Sequence, residues 1–293
     1  MKKIFLLSIL ASVVMFGCKD EGVTTTPGTS TSSNPTMASM EKSNRNAVLE
    51  DFTGVRCGYC PDGHRIANDL LVNNPDRFMV IAVNAGGYAA PASGWANFTS
   101  SYGQAFVDQS GVTGYPAGTM NRQYFAGKAQ NKGTGLAMSR NHWTTTAAEI
   151  LADESPVNIG AKAVFNSAKS ELTVTYEVYY TGDESANENF VNIALLQSGM
   201  VANQSGGGAS YVHKHVLRDL LTGPWGTVVP SESTAEGKWY TETVAYDVPT
   251  DYNGAVIPPG GGSVVPEDLD IVIFVARGRT DIITGIHVDV TVE

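Results

Sequence analysis

Cysteine is scarce in this 293-residue chain, which has only Cys18, Cys57 and Cys60. Three residues cannot build the disulfide framework of a small secreted domain, so any pairing needs a local explanation. Positive charge is also short, with 19 Lys and Arg against 29 Asp and Glu and a formal net charge of -10. The balance becomes more negative still once Lys2 and Lys3 leave with a leader, which argues against nucleic acid as a partner. No G-x-S-x-G, H-E-x-x-H or P-loop is present, so hydrolase and nucleotide-binding readings lack a motif. The longest hydrophobic run lies at the N-terminus, where MKKIFLLSILASVVMFGC has two lysines, an apolar stretch and a small residue before Cys18. This is the layout of a secretory signal over residues 1–18, too short to serve as a membrane span.

The residues around Cys18 carry more. Met15-Phe16-Gly17-Cys18 resembles the lipobox of bacterial lipoproteins, which implies cleavage before Cys18, lipidation of that residue and a membrane anchor. Lys19-Asp20-Glu21 resembles the export signal that sends some lipoproteins of Bacteroidetes to the cell surface. Residues 19–46 are rich in Ser, Thr, Gly and Pro and have few apolar side chains, so they read as a flexible tether. Beyond them about 247 residues remain, enough for one large or two medium domains.

Two patterns divide that length. From 47 to 154 short apolar runs alternate with helical stretches. Val48–Phe52 reads as a strand, His64–Val72 as a helix, and RFMVIAVNA as a strand covered on both faces. A Gly- and Ala-rich insertion follows at 85–97, then a helical stretch, a turn into a strand and a closing helix, HWTTTAAEILADE. The order β-α-β-α-β-α points to an α/β or α+β domain. From 155 to 293 strands dominate, with frequent Gly and Pro, as in a β-sandwich of immunoglobulin-like size. The fold class expected is therefore α+β, with a polar, proline-marked boundary at Asp153-Glu154-Ser155-Pro156.

The chemistry centres on LEDFTGVRCGYCPDGHR, a strand, a turn, two cysteines and a helix start. With Cys57 in the first turn of that helix, unpaired backbone N–H groups and the positive end of the helix dipole favour its thiolate. Cys57 is then the nucleophile and Cys60, one turn on, resolves the mixed disulfide. Arg56 adds a positive charge beside Cys57.

EDFTGVRCGYC resembles the strand-to-active-site segment of thioredoxin-like proteins. That resemblance implies a buried acid at Asp51 that relays a proton to or from Cys60. GVTGYPAG is similar to the loop in which thioredoxins set a cis-proline against the disulfide, which implies Pro116 in that role, preceded by Tyr115. The chain departs at Arg56, where thioredoxins usually carry tryptophan, and the insertion at 85–97 is expected to cover or edge the active site. The lipobox, the Ser/Thr-rich segment, FTGVRCGYCP, GYPAGTMNR and YVHKHVLRDLLTGPWG together resemble the 28-kDa outer-membrane protein family of Bacteroidetes lipoproteins. The family implies an outer-membrane lipoprotein with a thioredoxin-like domain and no settled activity.

Other readings remain open. A metal could use Cys57, Cys60 and His64, yet a zinc site wants four ligands, and His64 alone reads as a solvated helix residue. His213 and His215, placed on one strand, would point both rings to one face, where they could chelate a metal or brace the two halves against each other. Trp225, Trp239 and Tyr240 suit either a ligand platform or the sandwich core. The Cys57–Cys60 pair itself could be an inert staple. No metal and no cofactor is expected, and nothing in the sequence fixes an oligomeric state. Two functions follow: thiol–disulfide exchange on extracytoplasmic protein thiols or disulfides, or a surface binding and adhesion lipoprotein that keeps the fold as a scaffold.

Overall fold

The computed structural model describes residues 22–27, 34–252 and 263–293. Cys18 and the signal-like leader lie outside the described residues, as does most of the PPGGGS loop. The fold is mixed α/β and mostly strands. In chain order it runs β1 (Val23–Pro27), β2 (Ser43–Asn44), β3 (Ala47–Thr53), α1 (Cys60–Asn73), β4 (Phe78–Asn84), α2 (Gly103–Ser110), β5 (Ala117–Met120), β6 (Met138–Ser139) and α3 (Trp143–Ala152). It continues with β7 (Glu154–Ser155), β8 (Val157–Asn166), β9 (Glu171–Tyr180), β10 (Asn189–Gln197), β11 (Met200–Gln204), β12 (Gly208–His213), β13 (Val216–Leu220), β14 (Thr227–Val228), β15 (Trp239–Asp247), β16 (Leu269–Arg277) and β17 (Ile282–Val292).

The first half builds around β3 and β4, which pair in parallel and are buried along their whole length. The apolar run of β4 suits a strand covered on both faces, whereas β3 buries Glu50 and Asp51 among its apolar residues. β5 adds antiparallel to β3, and α1 lays Ala67 and Leu70 against Leu49, Val80 and Trp143 on one face of that sheet. In the second half β8, β9 and β15 pair antiparallel. Their inward residues, among them Val174, Tyr176 and Val244, share one core with Ile193, Ile271 and Ile273 of β10 and β16.

The halves are continuous. β13 pairs in parallel with β4 at Val216 and Ala82, and Ala82 N donates to His215 O at 2.8 Å. A second core then mixes both sides, Val48, Phe52, Ile81 and Phe106 with Leu196, Leu217, Val272 and Phe274. Within it Arg122 Nε and Nη2 reach Glu50 Oε1 at 2.9 and 2.6 Å, and Thr119 Oγ1 donates to Glu50 Oε2 at 2.8 Å. The Arg122 guanidinium also lies over the Phe106 and Phe274 rings.

The segment expected to be a free tether is partly docked. β1 adds antiparallel to the edge of β15, Val23 opposite Tyr246. Further on, Thr36 N, Met37 N and Ala38 N donate to Glu177 Oε2 at 2.8, 2.6 and 3.0 Å. Burial alone would push the Glu177 carboxyl up, but these three N–H groups and the Thr36 hydroxyl hold it below its usual range. A residue with a Cβ at position 160 would collide with Met37, so Gly160 opens the floor on which this segment rests. Low hydrophobicity denies a segment its own core, but an edge strand offers it backbone partners.

Candidate functional site

The helix that follows the cysteine turn begins at Cys60, with Tyr59 as N-cap and Pro61 in its first positions. Proline is pre-set for helix starts and lacks the N–H that would go unpaired there. Cys57 therefore sits in the turn before α1 and not in its first helical turn, which corrects the sequence expectation. Cys57 N donates to Gly54 O at 2.9 Å and Cys60 N to Cys57 O at 3.3 Å. The two sulfurs are joined as a disulfide, with Cα atoms 5.4 Å apart.

Both cysteines are buried, Cys57 2% and Cys60 0% exposed, while Arg56, Gly58 and Tyr59 between and beside them face solvent. Two backbones clamp the turn. On one side the 85–97 insertion lies against it, where Arg56 N donates to Tyr88 O at 3.0 Å and a Cβ on Gly54 would meet Tyr88 at 2.4 Å. On the other side lies the β11–β12 hairpin of the second half. Gln204 Nε2 donates to Cys57 O at 2.9 Å and Gly54 O at 3.2 Å, and Ser205 N donates to Val55 O at 2.8 Å. Gly206, with φ +77°, lies so close that a Cβ there would sit 2.2 Å from Gly58 O. Behind these contacts Val55, Ala96 and Phe98 pack with Met200, Ala202 and Val216.

Sequence reasoning anticipated the insertion but missed the hairpin. Its signal was present as the glycine-rich QSGGGAS between two short strands.

The remaining candidates gather beneath and beside the turn. Tyr115–Pro116 is a cis peptide, and Pro116 is buried where a Cβ on Gly63 of α1 would approach it to 3.1 Å. The Tyr115 ring lies 5.5 Å from that of Tyr88, and burial, with Asp108 adding to it, raises the phenol's pKa. Asp51, 1% exposed on β3, has no hydrogen-bond partner at either carboxyl oxygen. Desolvation pushes its pKa up to about 8. The imidazole of His64 lies beside it, with Nε2 3.7 Å from Asp51 Oδ2.

His64, read from the sequence as a solvated helix residue, is instead enclosed by the hairpin. Its Nε2 lies 2.9 Å from Thr53 Oγ1 and its Nδ1 2.7 Å from the Tyr211 hydroxyl. Burial, with His213 and His215 adding to it, lowers the imidazole's pKa to about 4.

His213 and His215 do not share a strand face. β12 ends at His213, and His215 turns into left-handed backbone at φ +53°. His213 packs its ring 4.6 Å from that of Phe98, with its pKa lowered by burial to about 4. His215 gives its carbonyl to Ala82. Each therefore ties the hairpin region to the first half, and neither meets His64 and the cysteines as a metal set. Among the described residues the group with metal-like spacing is Asp270, His287 and Asp289. There His287 Nε2 lies 3.2 Å from Asp270 Oδ1, an ion pair that raises the imidazole's pKa and accounts for the cluster. Trp225 packs 5.5 Å from Phe106, and Trp239 and Tyr240 are half-buried on β15, so the three form no common exposed platform.

Residues 103–257 match the model of the family described as outer membrane protein Omp28. The chain belongs to the Omp28 family. That places it at the outer membrane. The Omp28 match includes Pro116, the hairpin and the H-x-H segment, but begins 43 residues after Cys60, so it carries nothing about the cysteine pair. Among solved structures, HBP35 of Porphyromonas gingivalis is similar over 85% of this chain and 76% of its own, at 19% identity and a TM-score of 0.64. A domain of the outer membrane lipoprotein Omp28 from the same organism matches 47% of this chain and 91% of its own, at 24% identity and a TM-score of 0.31. A protein of Agrobacterium tumefaciens matches 84% and 95%, at 12% identity and a TM-score of 0.49. The likeness to HBP35 is one of fold. No curated protein matches the chain.

Proposed function

We propose that this Omp28-family protein is a lipid-anchored thiol–disulfide exchange protein. In this reading Cys18 carries the anchor, residues 47–154 form a thioredoxin-like domain, and residues 155–293 form an immunoglobulin-like sandwich. The observation that supports it best is Asp51. A carboxyl buried without a single hydrogen bond is costly, and a disulfide that merely stapled a loop would gain nothing from one nearby. In an exchange protein the same group is a proton donor held ready.

The oxidised pair then works as follows. A substrate thiolate attacks Cys57 Sγ, the substrate–Cys57 bond forms, the Cys57–Cys60 bond breaks, and its electron pair leaves on Cys60 Sγ. The Asp51 carboxyl, protonated at neutral pH, supplies the proton that Cys60 takes up. A second thiolate of the same substrate attacks its sulfur in the mixed disulfide, the substrate disulfide forms, and Cys57 is released as thiolate. The substrate dithiol is thereby oxidised by two electrons and the cysteine pair reduced. In the reverse direction Cys57 attacks a substrate disulfide and Cys60 resolves. In this reading Pro116 and Tyr115 shape the place where substrate docks, and exposed Arg56 favours the Cys57 thiolate.

One observation favours a second reading, a binding lipoprotein in which the disulfide is a staple. Both cysteines are buried, and the hairpin holds their turn through Gln204 and Ser205, which leaves a protein thiol no open path to them. Equilibration with glutathione, read by mass-shift alkylation, separates the two. Exchange predicts a reduction potential between about -270 and -120 mV, with Cys57 alkylated first. A potential below about -300 mV, or reduction only in denaturant, leaves the staple.

A further inference from the structure

A cavity of about 400 Å3 lies between α1, β4 and the hairpin, and it is faced by a buried carboxyl without a hydrogen-bond partner and by an exposed ammonium without an ion-pair partner. At its buried end is the Asp51 carboxyl, with neither oxygen hydrogen-bonded. At its solvent end is Lys214, exposed, with no carboxylate in ion-pair range among the described residues. Arg65, the other cation of the lining, is already engaged by Asp62 and Asp69 at 3.1 and 2.8 Å. The rest of the wall is mixed: Ala67, Leu71, Val80, Ala82 and Val212 supply apolar surface, beside the polar side chains of His64, Asn68, Tyr211 and His215. The volume falls in the range of small-molecule sites, which pair apolar walls with a few convergent polar groups.

We propose that this cavity binds a small zwitterion with an apolar body, the chemistry of an apolar amino acid or dipeptide, its ammonium on Asp51 and its carboxylate on Lys214. The inference shares Asp51 with the exchange reading but does not use the disulfide, so binding to the oxidised protein tests it separately from exchange. A lone ammonium would satisfy Asp51 but leave Lys214 unpaired, and a lone carboxylate would do the reverse. The zwitterion completes both ends.

Binding carries a proton signature. In the empty cavity Asp51 holds its proton at neutral pH, since burial sets its pKa near 8. An ammonium pairs with the carboxylate, so Asp51–CO2H and R–NH3+ give the ion pair and one H+, which passes to the buffer. The other groups facing the site do not supply that proton. The pKa of His64 is lowered by burial to about 4, that of His215 is lowered by burial, and that of Tyr211 is raised by burial. β4 contributes only Val80 and Ala82 to the lining.

The test is isothermal titration of the full-length oxidised protein at pH 7, in two buffers of different ionisation enthalpy. The probes are leucine, leucyl-leucine, 3-methylbutylamine and 4-methylpentanoate. The expected result is saturable one-to-one binding of leucine or of leucyl-leucine, the tighter of the two naming the source, with close to one proton released. The amine should bind more weakly with the same release, and the acid should not bind. Asp51→Asn and Lys214→Glu should each weaken the zwitterion at least about tenfold. Lys214 is exposed, so its variant keeps the test open if Asp51→Asn does not fold. No saturable binding of either zwitterion, binding without proton release, equal binding of the acid, or unchanged affinity in Lys214→Glu would each overturn the proposal.

Discussion

Two neighbouring acids on β3 are treated in opposite ways. Glu50 and Asp51 are each 1% exposed, and strand alternation sends them to opposite faces of the sheet. Glu50 meets the Arg122 fork and the Thr119 hydroxyl, and cation and aromatic rings close the site around it. Asp51 meets a cavity, with His64 no closer than 3.7 Å. The face shared with the second half is fully paired and serves cohesion. The face under the cysteine turn leaves a carboxyl unpaired where a proton or a ligand can reach it.

The largest break in this contrast should come from Glu50→Ala. It leaves the Arg122 charge buried without its partner, and a loss of about 3–5 kcal/mol is expected in urea unfolding. Asp51→Asn should behave differently. The folded-state pKa of Asp51 lies above that of an unfolded carboxyl, so wild-type stability falls as pH rises from about 4 toward 8, by up to about 1.4 kcal/mol per pH unit. The amide variant lacks that slope, so its stability relative to wild type should climb by about 2–3 kcal/mol between pH 5 and 7. Parallel stability curves for the two proteins would refute the raised pKa.

His64→Gln sharpens the acid side. The folded imidazole has a pKa of about 4 against an unfolded value near 6.5, so its stability contribution is intact above pH 6.5 and is lost as pH falls toward 4. At pH 5.5 the variant should recover about 1 kcal/mol relative to its deficit at pH 7.5, as read by thermal melts. The smallest stability effect belongs to Gln204→Ala, about 1 kcal/mol for hydrogen bonds lost at the rim of the turn. Its more telling readout is kinetic: dithiothreitol should reduce the Cys57–Cys60 bond several-fold faster than in wild type. An unchanged rate would mean that the hairpin does not guard the pair.

What could be read in the sequence was local. The apolar run of β4, the short strand pattern of β3, the helix after Pro61 and the cysteine spacing all announce themselves within a few residues. The cover over the cysteines did not, because Gln204 and Cys57 lie 147 residues apart and β11 and β12 are only five and six residues long. The same contact explains His64, whose helix position looks solvated until the hairpin lands on it. The docked N-terminal segment escaped notice for another reason. Its composition says only that it has no core of its own, while the Glu177 carboxylate and the β15 edge that receive it lie far along the chain.

The parallel join of β13 to β4 also limits how the molecule can move. With one sheet running through both halves, a hinge between them would have to tear backbone pairing and split a common core. The hairpin, in contrast, forms a two-stranded sheet of its own. Access to the sulfurs then depends on local unfolding of about a dozen residues, the kind of opening that native-state hydrogen exchange resolves. Amide exchange in β11 and β12 should outrun that of β3 and β4, and the hairpin's opening frequency becomes the ceiling on any reaction at Cys57.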